Sequence, residues 1–106
     1  MHDFSMHRGE TFHKYLRIKK NGGPVDLSGY AARCQVRESP DGGQLLCDVG
    51  CIFPGTAGHL ELMIPAEVSA SFPPGVYVWD LRVTSDRQEV RFYVGGKFRV
   101  LPSVTE

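Results

Sequence analysis

The sequence predicts an all-β protein, an antiparallel β-sandwich or partly open barrel of about seven short strands, and three observations lead there. Twelve glycines and seven prolines in 106 residues exceed the roughly 12% of average composition, so few segments are long enough for a helix. The longest stretch free of both, Val76 to Val94, contains the turn-like Thr84-Ser85-Asp86-Arg87. Apolar residues recur at a spacing of two almost throughout, the period of a half-buried strand.

Thr11 to Lys19 opens the series, with Phe12, Leu16 and Ile18 on one face, His13, Tyr15, Arg17 and Lys19 on the other, and Lys14 out of phase. Asn21-Gly22-Gly23-Pro24 turns the chain, and Val25 to Gly29 connects. Tyr30 to Arg37 alternates cleanly, with Tyr30, Ala32, Cys34 and Val36 inward. Pro40, which presets one turn dihedral, and the glycines of Asp41-Gly42-Gly43 close a hairpin. Gln44 to Phe53 follows, with Leu45, Cys47, Val49, Cys51 and Phe53 in phase. Pro54 to Gly58 turns again, and His59 to Ile64 points Leu60, Leu62 and Ile64 inward.

Residues 65–71 hold the one predicted helical turn, because Pro65 suits an early helical position and Glu67 complements the helix dipole. Val76 to Thr84 is the strongest strand, with Tyr77, Trp79, Leu81 and Val83 on one face. Val76 and Val78 on the other predict a central or partly covered position. Val90, Phe92 and Val94 align next, Gly95-Gly96 reads as a bulge or bend, and Phe98 and Val100 complete the series. The expected architecture is one immunoglobulin-like, Greek-key β-sandwich domain across residues 1–106, with 1–9 as an extended N-terminal arm.

Motifs for chemistry are absent from the pattern. In one strand Cys47 and Cys51 stand about 13 Å apart, too far to share a zinc through bonds of about 2.3 Å, so they read as core hydrophobes unless Gly50 bulges sharply. His2, His7, His13 and His59 lack paired ligand spacing. There is no Gly-x-Ser-x-Gly elbow, and Ser28 beside Gly29 is a turn residue. Asp48, Glu61 and Asp80 could meet across strands as paired carboxylates, but the expectation is that Glu61, Asp80 and Glu89 interleave with Arg33, Arg37, Arg82, Arg91 and Arg99 as a solvated face. The paired glycines open no helix and so build no phosphate cradle. No catalytic residue, cofactor or metal is assigned.

Twelve Lys+Arg balance twelve Asp+Glu, so no electrostatic footprint for nucleic acid or an anionic membrane is visible. Tyr15, Arg17 and Lys19 are the sole candidate stacking platform. Neutrality permits self-association. No apolar run approaches a membrane span, and the polar opening Met1-His2-Asp3-Phe4-Ser5 is unlike a signal peptide. A cytoplasmic origin, with the three cysteines reduced, follows as the expectation.

Phe72-Pro73-Pro74-Gly75-Val76-Tyr77 resembles a tyrosine corner, with Gly75 and Tyr77 as its structural pair. Arg8-Gly9-Glu10-Thr11, Pro24 to Gly29, Cys34-Gln35-Val36-Arg37, Asp41-Gly42-Gly43, Gly75 to Leu81 and Gly95 to Val100 follow one another in an order that resembles small structural domains of tailed phages. The likeness is to the N-terminal domain of the phage baseplate upper protein and spans roughly residues 8 to 104. That resemblance implies a non-enzymatic β-sandwich acting in a tail, baseplate or fibre through protein–protein contacts. Its partners would be other copies of itself and other phage structural proteins, and its location the virion. Val76, Val78, Tyr93 and Tyr15 are the expected interface residues, together with sheet edges and the segment His2 to Gly9. The alternative is a carbohydrate- or small-ligand-binding module using Tyr15, Tyr93 or His59.

Overall fold

The computed structural model describes residues 2–20, 22–39, 41, 43–55 and 57–103. Met1, the turn residues Asn21, Pro40, Gly42 and Thr56 and the terminal Val104 to Glu106 lie outside these, as do the side chains of Lys20 and Arg91. The chain is all-β apart from one short helix. Its strands are β1 (Phe4–His7), β2 (Phe12–Arg17), β3 (Lys19–Lys20), β4 (Gly23–Pro24), β5 (Ala31–Arg37), β6 (Leu45–Ile52), β7 (His59–Ile64), β8 (Gly75–Thr84) and β9 (Val90–Leu101), with α1 (Ala66–Ser69) between β7 and β8. Seven strands form one sheet in the order β1-β9-β8-β5-β6-β7-β2, and β3 and β4 form a separate ribbon.

The sheet is nearly closed into a barrel. Strand β6 links its halves: Cys47 to Val49 pair with β5, whereas Gly50 to Ile52 pair with β7. The outermost strands β1 and β2 meet through side chains, Phe4 lying edge-on to Phe12 with ring centres 5.3 Å apart and Phe12 reaching Phe98 at 5.2 Å. Lys14, the residue out of phase, sets its ammonium 6.0 and 5.8 Å from the rings of Phe4 and Phe12. An inward position on an edge strand thus lets its aliphatic stem and charge cover the aromatic seam.

The alternation in β5, β7 and β8 is realised: Cys34, Val36, Leu60, Leu62, Ile64, Trp79, Leu81 and Val83 are buried. Four corrections concern the remainder. The sheet is mixed, because β1 runs parallel to β9, Phe4 beside Phe98 and Met6 beside Val100. The N-terminal arm is extended, but it is bonded into its own sheet. His2 N donates to Gly95 O (3.1 Å) and Arg8 N to Leu101 O (2.8 Å), and Met6 is 2% exposed.

Gly95-Gly96 forms no bulge, since pairing with Asp80 and Trp79 runs through it. A Cβ at Gly96 would lie 2.7 Å from the carbonyl carbon of His2, and one at Gly95 2.7 Å from Trp79 O. Gly96 therefore lets the N-terminal segment lie against the sheet, and Gly95 lets the β8 backbone approach. Leu45, expected inward, is 38% exposed: the register shifts between Val36 and Arg37, leaving Leu46 to pack on the core. A second shift, opposite Val83 and Thr84, likewise leaves Val90 exposed.

The helix is shorter than expected and follows Pro65. Its Ser69 is fully buried and donates its hydroxyl to Glu10 O at 2.7 Å, tying α1 to the turn between β1 and β2. Gly9 in that turn has φ +85°, a conformation favouring glycine.

Candidate functional site

Strand β8 is central, and its outward residues meet those of β5 and β9 in rows fixed by register. Arg33, Arg82 and Tyr93 form one row, Gln35, Asp80 and Gly95 the next, then Arg37, Val78 and Lys97; Val76 stands beside Arg99. Val76 is 57% and Tyr93 59% exposed, while Val78 is half-buried between its neighbours. Three of the four residues expected at an interface therefore share this face.

Hydrogen bonds hold part of it in place. Tyr93 donates its hydroxyl to Asp80 Oδ2 at 3.2 Å, and the Arg82 guanidinium carbon lies 5.7 Å from the centre of the Tyr93 ring. The Asp80 charge, then burial, raises the Tyr93 hydroxyl above its ordinary pKa, with Arg82 opposing. Arg37 donates to Gln35 Oε1 (3.0 Å) and Gly43 O (3.2 Å), and Gln35 donates to Asp48 Oδ1 (2.8 Å). No carboxylate pairs with Arg33, Arg37, Arg82, Lys97 or Arg99 among the described residues. Glu61, expected to face the arginines, instead meets His13 at 2.7 Å, because β7 pairs with β2.

Tyr15, 73% exposed, belongs to that second surface, its ring 4.6 Å from His13. His59 is there too, opposite Arg17. Tyr93 is on β9, so the three residues of the ligand-binding alternative are split between surfaces. The structure places a cleft elsewhere, about 500 Å³, where the β8–β9 turn faces residues 18–30. Ile18, Val25, Leu27, Tyr30, Val83 and Phe92 line it with Lys19, Ser85, Asp86 and Arg87. In sequence Val25 to Gly29 reads as a mere connection, although Val25 and Leu27 already alternate.

Tyr77 donates its hydroxyl to Pro73 O at 2.6 Å, the backward tie of a tyrosine corner. Burial, and secondarily the charge of Glu38, raises its pKa. Cys34 and Cys47 are buried and Cys51 is half-buried, all as free thiols. Burial raises all three thiol pKa values, that of Cys47 to about 11, which keeps the nucleophilic thiolate scarce at neutral pH. Strand β6 runs through Gly50 unbroken, and the described residues contain no group of three or more His, Cys, Asp or Glu able to hold a metal. Ser28 N donates to Asp26 Oδ1 at 3.0 Å, a turn contact that lowers the Asp26 pKa.

Neither the protein-family models nor the curated proteins compared with this chain match it. Among the described residues no helix is long and apolar enough to cross a membrane.

Proposed function

We propose that this chain is a non-enzymatic structural module of a phage or prophage, associated with the tail, baseplate or a fibre, that acts through protein–protein contacts. The observation that carries the contact reading is the outer face of β5, β8 and β9, where Val76 and Tyr93 are exposed on a continuous, register-fixed surface. Rigid strands presenting apolar and aromatic groups suit an interface better than mobile loops do. The order of short motifs between residues 8 and 104 supports the phage assignment, and with it a virion location. A cytoplasmic location follows if the chain is not phage-derived.

The finer fold belongs to the same proposal: a two-layer, immunoglobulin-like Greek key in which β6 passes between layers, supported by its change of partner at Gly50. The test is light scattering on the eluting chain, alone and mixed with the products of its neighbouring genes. A complex of fixed stoichiometry that Val76→Ser with Tyr93→Ser disperses is the expected result; a strict monomer that joins none of them refutes the reading. The cleft favours a second reading, a small-ligand module. A bound ligand whose contacts map to Leu27, Val83 and Phe92 would favour it.

A further inference from the structure

We infer that the outer face of β5, β8 and β9 takes a carboxylate-bearing protein surface with an apolar centre, rather than a second copy of this chain. The inference rests on the contact reading above and adds the partner's chemistry. The whole chain is neutral by formal count, but the fold does not distribute its charge evenly. Arg33, Arg82, Lys97 and Arg99 are exposed on this face and Arg37 is half-buried. Asp80, Asp48 and Asp3, the carboxylates among them, are already engaged by Tyr93, Gln35 and the Lys97 backbone N–H, so the cations remain in excess.

Glu61 of β7 lies away from this face, hydrogen-bonded to His13 of β2. Arg33 and Arg82 stand directly opposite each other, and like charges so placed repel. Carboxylates arriving between them would relieve that repulsion and find donors already fixed by the sheet. Salt-screened attraction of this kind governs partner choice and encounter rate more than raw affinity.

Two other occupants fit less well. A second copy docked face to face would set one cationic excess against another. Nucleic acid would find Val76 and Val78 of no use to its phosphates. It would also find one Tyr93 ring face occupied by Arg82 where a stacking platform needs open rings. An interface with acidic residues around an apolar centre uses both the valines and the cations.

The experiment follows the backbone amides of the isotopically labelled full chain by nuclear magnetic resonance. Three probes are titrated in separately: a synthetic peptide alternating glutamate and valine, poly-L-glutamate, and short double-stranded DNA. Saturable shifts at Arg33, Val78, Arg82 and Lys97 with the peptide are expected, weakening with added salt. Arg33→Gln with Arg82→Gln should weaken peptide binding about tenfold, as should Lys97→Gln with Arg99→Gln, each with native dispersion retained. DNA binding these amides more tightly than the peptide overturns the inference in favour of a nucleic-acid face, and peptide shifts that map elsewhere overturn it outright. If Val76→Ser disperses assemblies of the chain while both charge variants leave them intact, the contact face stands and its acidic partner chemistry falls.

Discussion

At the scale of the residue, Trp79 shows how one side chain fixes a distant segment: its indole N–H donates to His2 O at 2.7 Å, and its ring stacks on Phe4 at 4.5 Å. Gly96 leaves the space for that approach. Gly96→Ala is accordingly expected to lower stability by about 1–3 kcal/mol, the usual cost of overpacking, and to change Trp79 fluorescence, measured through urea unfolding. Tyr77→Phe removes the bond to Pro73 O and should cost about 1 kcal/mol by the same assay. The thiols supply a pH prediction. Burial favours neutral Cys47, so the stability it contributes is fully present below its ordinary pKa of 9.0 and is lost as pH rises through about 11. A Cys47→Val variant should lose less stability than the parent over that interval, and alkylation of the native chain should reach Cys51 before Cys34 or Cys47. The inward placement of Cys34 and Cys47 was legible from alternation alone. The purpose of Gly96 was not, because the group that needs the space, the His2 carbonyl, lies more than ninety residues upstream.

At the scale of the element, strand β1 departs most from expectation. Phe4-Ser5-Met6-His7 does alternate, but four residues are too few to separate a strand from a polar terminus, and no local signal specifies parallel pairing with β9. Its place follows from long-range burial: Phe4 packs against Phe12 and Trp79, and Met6 is in the core. Met6→Ala should therefore cost about 2–5 kcal/mol in denaturant unfolding, as buried large-to-small changes do; a free arm would register almost nothing. The two register shifts have the same origin. Leu45 and Leu46 are adjacent leucines, and sequence period cannot say which of them the extra residue turns outward.

At the scale of the whole molecule, the near-closed sheet ranks its strands by how well both edges are paired. Strand β8 is flanked by β9 along its length and by β5 from Val78 to Thr84, whereas β1 and β2 meet at a seam of side chains. Hydrogen exchange should be slowest at Trp79 to Val83 and fastest along β1 and the seam edge of β2; uniform protection across all seven strands would contradict this ranking. Chain neutrality conceals a division that only topology creates, because Glu61 leaves with β7 to meet His13 while Arg33, Arg37, Arg82, Lys97 and Arg99 gather on one face. By itself the sequence determined an all-β chain, the inward faces of β5, β7 and β8, and the outward direction of Val76 and Tyr93. Those properties depend on neighbours two residues apart and on turn residues beside them. The parallel β1, the closing seam, the cleft and the cationic face were decided by tertiary structure. They depend on which strands become neighbours, and that is set by burial of side chains far apart in the chain.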